Sequence, residues 1–140
     1  MDADTLRTVE LERSGTGTFR ATNVRGGVLD IASDASPTFT PVELLLVAIG
    51  ACTGMDVDAI TARRAVPDEF AITVDGHKIR DAGGNRLTDI AVTFRVSFPD
   101  GAAGDAARTV LPEAVRRSHD RLCTVSRTVQ LGSPVTTTVR

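Results

Sequence analysis

The feature that most constrains the fold is one long apolar helix in the first half of the chain. Residues 40–43, Thr-Pro-Val-Glu, predict its start. Here threonine is the N-cap, proline takes the first helical position and glutamate completes a capping box. The helix is expected to run to about Arg64, before a proline at position 67. Because residues 44–49 are apolar without a break, the N-terminal half of the helix is predicted to be buried on every side.

Small residues in the middle of this helix point to a close neighbour. Gly50 and Gly54 flank Cys52, and a glycine inside a helix costs about 1 kcal/mol relative to alanine. We interpret the two glycines as a helix-to-helix contact about a two-fold axis. A single sheet in a chain of 140 residues cannot easily surround such a helix. A second subunit is therefore expected to cover it, as in a homodimer with Cys52 near the axis.

The remaining pattern predicts an α+β domain with antiparallel sheets. Apolar alternation and turn residues indicate a three-stranded meander, a long hairpin, a second helix and two short final strands. The meander covers residues 5–12, 17–22 and 28–32, and the hairpin covers residues 70–80 and 87–98. The second helix covers residues 104–121, and the two final strands lie within residues 124–139. Strands that group in meanders are typical of α+β folds. The chain length predicts one domain over residues 1–140.

Composition excludes several classes of partner. The net charge of −2 provides no basic surface for nucleic acid. The first residues lack the apolar segment of a signal peptide. The longest apolar run, residues 44–49, is far shorter than the ~20 residues of a membrane span. We therefore expect a cytoplasmic protein without a nucleic-acid or membrane partner, in a compartment that keeps thiols reduced.

The two cysteines are the candidate chemical groups. Cys52 also fits simple burial, since a free cysteine often packs as a small apolar residue. Positive charge from His119 and Arg121 is expected to lower the pKa of Cys123. Asp56, one turn after Cys52, is expected to raise the pKa of that thiol. We expect no cofactor and no metal site, because the cysteines and histidines are scattered at positions 52, 77, 119 and 123 without paired ligand spacing.

Two segments carry a family resemblance. Residues 41–57, PVELLLVAIGACTGMDV, and residues 118–126, SHDRLCTVS, resemble the two cysteine motifs of the OsmC/Ohr family of hydroperoxide reductases. The resemblance implies an intertwined homodimer whose antiparallel sheets wrap around long central helices. It also implies that Cys52 is the peroxidatic residue, which attacks an organic hydroperoxide. Cys123 would then resolve the sulfenic acid to a disulfide, which a dithiol reductant reopens.

The sequence departs from the best-characterised branch of that family at the activating residues. The branch has a glutamate ten residues before the reactive cysteine, where this chain has Val42; Glu43 lies nine residues before Cys52. The resemblance assigns the activating arginine to the N-terminal strands, where Arg20 or Arg25 fits. Cys52, Cys123, Arg20 and Glu43 are therefore the candidate catalytic residues. The alternative is a non-enzymatic dimer that binds an apolar small molecule at its interface, with both thiols incidental.

Overall fold

The computed structural model describes residues 3–34 and 36–140 and has the predicted α+β composition with antiparallel sheets. Its elements are a 3-10 turn Ala3–Thr5, β1 Val9–Gly15, β2 Thr18–Asn23, β3 Val28–Ala32, α1 Pro41–Thr61, β4 Glu69–Asp81, β5 Gly84–Ser97, α2 Ala102–Arg117, a π-helical turn Ser118–Leu122, and α3 Thr124–Leu131. They form two compact units, within Met1–Leu45 and Leu46–Arg140. One domain over residues 1–140 stays a prediction.

The first unit contains the predicted meander, which is confirmed. β2 lies between β1 and β3 and pairs antiparallel with both. The pairing of Leu11 with Ala21 and of Ala21 with Leu29 puts apolar side chains on one face of the sheet. Leu11 is 53% exposed and Leu29 43% exposed. The other face is polar and carries Arg20.

The start of α1 forms as the sequence predicts. The backbone N–H of Thr40 donates to Glu43 Oε1 at 2.9 Å, and the N–H of Glu43 donates to Thr40 Oγ1 at 3.2 Å. This reciprocal pair is the predicted capping box, which satisfies two amides that the helix itself leaves unpaired. The helix ends at Thr61, slightly before the predicted Arg64, and the chain continues as a turn.

Burial of α1 follows one face in the described chain. Its buried residues are Ile49, Gly50, Thr53, Gly54, Val57 and Thr61. On the other side, Val47 is 46% exposed and Met55 is 71% exposed. The apolar run predicts that this part of α1 is buried on every side. A surface outside this chain would therefore have to cover its exposed side.

The two helix glycines face strand β4, so the interpretation of them as a helix-to-helix contact is wrong. A Cβ atom at Gly50 would lie 2.7 Å from Val74 Cγ2, and one at Gly54 would lie 2.5 Å from Ile72 Cδ1. Both distances are shorter than van der Waals contact. The helix backbone approaches the branched side chains of β4 so closely that a larger residue at either position requires a neighbouring side chain to shift.

By length and composition alone, α1 could also cross a membrane, since its mean hydropathy reaches 1.6 over an 18-residue window. The apolar run of residues 44–49 alone does not reveal this property, because it covers only a part of the helix. A core helix satisfies the same two criteria. The part of α1 in the second unit packs a face of glycine and threonine against its neighbours. Such packing is typical of a core helix, so no membrane protein is indicated.

The second unit continues with the predicted hairpin of β4 and β5, which is confirmed. Ile72 pairs with Phe94 and Val74 with Val92, and the register shifts between Asp75 and His77. This hairpin places the branched side chains of β4 over α1. It also presents the apolar side chains of β5 toward the helices that follow.

The end of the chain differs from the prediction. Residues 124–139 were predicted as two short strands, but the structure has α3 over Thr124–Leu131 and no regular structure after it. Gly132, with φ of 68°, caps the helix by donating its N–H to the carbonyls of Thr128 and Val129. The Thr and Val residues of this segment favour strands, but the helix caps and its tertiary contacts override that preference.

Candidate functional site

The second unit brings the two cysteines together. Cys52 lies in the middle of α1 and is partly exposed, whereas Cys123 is fully buried between the π-helical turn and α3. Their sulfur atoms and a carboxylate oxygen of Asp56 all lie within 4.8 Å of one another. Both thiols are free. The structure therefore places the two candidate thiols close enough to react with each other after small side-chain movements.

Both sulfur atoms lie at the start of α3. Cys123 is the N-cap of this helix, and its sulfur accepts the backbone N–H of Ser126 at 3.4 Å. The backbone N–H of Val125 faces the sulfur of Cys52. Amides in the first helical turn have no partner within the helix and carry partial positive charge. The Val125 amide therefore lowers the pKa of the Cys52 thiol.

A short chain of hydroxyl groups holds Asp56 beside the thiols. The hydroxyl of Ser118 donates to Asp56 Oδ2 at 2.8 Å. Ser118 Oγ also lies 2.7 Å from Thr53 Oγ1. Since the Ser118 proton is given to the carboxylate, the Thr53 hydroxyl is the donor in this second bond. Ser118 is fully buried, so these bonds tie α1 to the π-helical turn in a site shielded from water.

The surroundings of Cys52 raise the pKa of its thiol above the ordinary value. Burial is the largest cause, and the Cys123 side chain and the charge of Asp56 act in the same direction. The N–H of Val125 acts in the opposite direction by stabilising the thiolate. The expected effect of Asp56 on Cys52 is confirmed. A raised pKa lowers the fraction of Cys52 that is thiolate at neutral pH.

The other predicted catalytic residues lie in the first unit. The Nε atom of Arg20 is 2.8 Å from Asp30 Oδ1 in an exposed ion pair on the polar face of the sheet. Asp30 holds the pKa of Arg20 above its usual value. Arg25 is exposed in the turn between β2 and β3. Glu43 is engaged in the capping box. An action of Arg20, Arg25 or Glu43 on Cys52 stays a prediction.

Of the two positive residues expected near Cys123, His119 pairs with an acidic neighbour. His119 Nδ1 lies 3.0 Å from Asp120 Oδ1, and both side chains are exposed. The Cys123 sulfur instead contacts Ser126: it donates to the Ser126 hydroxyl at 3.3 Å and accepts the Ser126 backbone N–H at 3.4 Å. Sequence reasoning missed α3, and with it the amides that face the sulfurs. The available indication was Ser126, three residues after Cys123, at the usual spacing of an N-cap and its partner.

A groove of about 490 Å³ opens near this site, although neither cysteine lines it. It shares Thr53 and Ser126 with their surroundings and is otherwise mainly apolar. Its apolar lining includes Ile49, Ile90, Val92, Phe94, Val115 and Val129, and His119 lies at its side. A groove of this size and character accepts a small apolar molecule.

Comparison with known proteins matches the chain to one protein family. A family model described as OsmC-like protein matches residues 33–138. An uncharacterized protein of Mycobacterium tuberculosis H37Rv is 33% identical over 127 residues, which cover 89% of this chain and 90% of that protein. An uncharacterized protein of Mycobacterium bovis matches equally well.

Solved structures have the same fold. The OsmC-like protein of Mycoplasma pneumoniae superposes with a TM-score of 0.72 at 15% identity, covering 91% of this chain and 89% of that chain. A Legionella pneumophila protein described as an organic hydroperoxide resistance protein OsmC superposes with a TM-score of 0.65 at 13% identity, covering 92% of each chain. At these identities the likeness shows the fold alone.

Proposed function

Because this chain belongs to the family of OsmC-like proteins, which indicates a redox role, we propose that it reduces organic hydroperoxides through Cys52 and Cys123. The observation that carries the proposal is the approach of the two sulfur atoms to within 4.8 Å. Cys52 is partly exposed, as a group that meets substrate must be, and Cys123 is buried directly behind it. This arrangement suits a peroxidatic and a resolving thiol.

The reaction proceeds in three balanced steps. The Cys52 thiolate attacks the terminal oxygen of the hydroperoxide, the O–O bond breaks, and the alkoxide leaves as an alcohol after taking up a proton. Cys52 is then a sulfenic acid. The Cys123 thiolate attacks the Cys52 sulfur, so that a disulfide forms and water leaves. A dithiol reductant reopens the disulfide by two exchanges and is itself oxidised.

The start of α3 contributes to the first two steps. The Val125 N–H lowers the pKa of the Cys52 thiol, and the Ser126 N–H donates to the Cys123 sulfur and holds it in place. The pKa of Cys52 is nevertheless raised in the single chain. Arg20, or Arg25 in its place, and Glu43 are proposed to complete the activation. The family's homodimer is proposed to be the state in which they act.

Two surfaces support the homodimer and an apolar substrate. The exposed apolar side of α1, with Val47 and Met55, needs a cover that a second copy of the chain would supply. The groove near the thiols is lined mainly by apolar side chains, which suits the organic part of a hydroperoxide. The protein is proposed to work in the cytoplasm, where dithiol reductants keep both thiols reduced.

The test is consumption of cumene hydroperoxide by the reduced protein, with free thiols counted before and after. Wild type is expected to lose two thiols per chain and to form a disulfide between Cys52 and Cys123. Cys52→Ser is expected to lose all activity. Cys123→Ser is expected to stop at a sulfenic acid after one turnover. The proposal fails if neither thiol is lost, or if Cys52→Ser consumes peroxide as fast as wild type.

A second candidate is a non-enzymatic dimer that binds an apolar small molecule. The apolar groove of about 490 Å³ favours it. Native mass spectrometry of the purified protein is the discriminating measurement. A small molecule that remains bound in the Cys52→Ser/Cys123→Ser double variant, together with absent peroxide consumption in wild type, would select this function over the first.

A further inference from the structure

Three potential metal ligands converge beside the start of α3. They are the sulfur of Cys52, a carboxylate oxygen of Asp56, and the sulfur of Cys123, all within 4.8 Å of one another. Cys52 and Asp56 lie one turn apart on α1, so they project from the same side of the helix. Cys123 comes from a segment far along the chain. The cluster thus exists only in the folded protein, and ligand spacing in the sequence does not reveal it.

We propose that Cys52, Asp56 and Cys123 form a binding site for a soft divalent cation in the reduced protein, and that Zn²⁺ is the best match. Two thiolates and one carboxylate are ligands that Zn²⁺ takes readily, whereas Mg²⁺ and Ca²⁺ prefer oxygen ligands alone. Three protein ligands leave a fourth tetrahedral position for water. Cys52 and Asp56 are only partly buried, so the ion has a path from solvent.

The geometry needs little adjustment. With a Zn–S distance of about 2.3 Å and tetrahedral angles, two sulfur ligands lie about 3.8 Å apart. The three ligand atoms are already within 4.8 Å of one another. The two sulfur atoms therefore have at most about 1 Å to close, and each sulfur–oxygen pair at most about 1.3 Å. Changes in side-chain dihedral angles supply this distance without movement of the backbone.

The groups around the three ligands orient them. The buried hydroxyl of Ser118 donates to Asp56 Oδ2 at 2.8 Å and leaves Oδ1 available to a metal. The N–H of Ser126 donates to the Cys123 sulfur at 3.4 Å. Hydrogen bonds of this kind to ligand atoms position them and are part of most metal sites in proteins.

The charge of the site also fits a cation. In the described part of the chain, no arginine, lysine or histidine forms an ion pair with Asp56. With both thiols ionised, three negative groups would lie within a few ångströms of one another. A divalent ion would offset this repulsion, which the amides of α3 reduce only in part.

Binding requires no change of oxidation state. Two S–H groups release their protons to solvent, and two Zn–S bonds form. The site does not depend on peroxide reduction, but a Cys52–Cys123 disulfide would remove two of the three ligands. Metal binding and the disulfide are therefore mutually exclusive states of the same cluster.

The test is titration of the reduced, metal-free protein with Zn²⁺ in competition with a chromophoric chelator. One Zn²⁺ per chain is expected. Co²⁺ in place of Zn²⁺ is expected to give the near-ultraviolet absorption of thiolate-to-metal charge transfer. Cys52→Ser, Cys123→Ser and Asp56→Asn are each expected to weaken binding at least about tenfold, since loss of an outer hydrogen bond alone costs roughly that much. Ser118→Ala is expected to weaken it by about 10- to 100-fold.

Asp58→Asn is the matched control, because Asp58 is an exposed carboxylate on the same helix. It is expected to bind Zn²⁺ like wild type. Protein oxidised to the disulfide with diamide is expected not to bind. Wild-type affinity in both Cys52→Ser and Cys123→Ser, a Co²⁺ spectrum without charge transfer, or an equal loss in Asp56→Asn and Asp58→Asn would overturn the proposal. Circular dichroism of each variant separates lost ligands from lost fold.

Discussion

At the residue scale, the reactivity of Cys52 depends on opposing groups around one sulfur atom. Burial, Cys123 and Asp56 raise the pKa of its thiol, and the Val125 N–H lowers it. Asp56 was expected from the sequence to have this effect, because one helical turn puts its carboxylate beside the thiol. The contribution of Cys123 could not be predicted in this way, since it comes from a residue distant in the chain.

Replacement of Asp56 by asparagine is expected to speed the alkylation of Cys52 at pH 7. Asparagine keeps an oxygen that accepts the Ser118 hydroxyl, but it removes the negative charge that raises the pKa of the thiol. A larger fraction of Cys52 is then thiolate at neutral pH. The measurement is the rate of reaction with iodoacetamide from pH 6 to 10, followed on the Cys52 peptide by mass spectrometry.

Asp58→Asn serves as the control for that comparison, because Asp58 is exposed on another side of α1. Its alkylation profile is expected to match wild type. Slower alkylation in Asp56→Asn, or the same acceleration in both variants, would contradict the assigned role of Asp56.

At the element scale, α1 is held against β4 by two glycines, and α3 presents its amides to the thiols. The start of α1 was predictable because a capping box is formed by residues three positions apart. The role of the two glycines was not predictable, because it depends on which side chains of a distant strand lie above them. The helix α3 was missed for a related reason: its Thr and Val residues favour strands when judged alone.

Gly50→Ala is expected to destabilise the protein more than Gly54→Ala. The added methyl group at position 50 meets a methyl of Val74, a side chain that is branched at Cβ and has little freedom to move. Overpacking costs about 1–3 kcal/mol, against a gain of about 1 kcal/mol in helix propensity. At position 54 the methyl group meets the end of Ile72, which can rotate away. Urea unfolding of the two variants measures the difference, and equal or reversed stabilities would contradict this packing.

Val125→Pro is expected to slow the alkylation of Cys52, because proline lacks the N–H that stabilises the thiolate. Proline is tolerated in the first turn of a helix, so α3 is expected to persist. Thr124→Pro is the matched control: it removes the preceding amide and leaves the one that faces Cys52. Helix content by circular dichroism must be preserved in both variants. An equal effect of the two prolines on alkylation would rule out a specific role for the Val125 amide.

At the scale of the whole molecule, the described chain exposes apolar side chains on α1 and on one face of the first sheet. Met55, in the second half of α1, is 71% exposed. The sequence predicted a covering subunit from the unbroken apolar run of α1. The exposed side of that helix supports the same interpretation, even though the glycines face β4 and not a second helix.

Met55→Glu is expected to shift the proposed homodimer to monomers, because the interface would have to bury an unpaired charge. Sedimentation velocity at several protein concentrations measures the change. Val139→Glu is the control, since Val139 is 92% exposed near the end of the chain. A monomeric wild type, or an unchanged dimer in Met55→Glu, would contradict the proposed interface.

The sequence by itself determined those features whose interactions are local. The capping box of α1, the meander, the β4–β5 hairpin and the family motifs at Cys52 and Cys123 all depend on residues a few positions apart or on a regular period. Only the tertiary structure decided that Cys52, Asp56 and Cys123 meet at the start of α3, and that the helix glycines lie under β4. Contacts of this kind join residues that are distant in the chain. They depend on how whole elements pack together, and local propensity does not determine that packing.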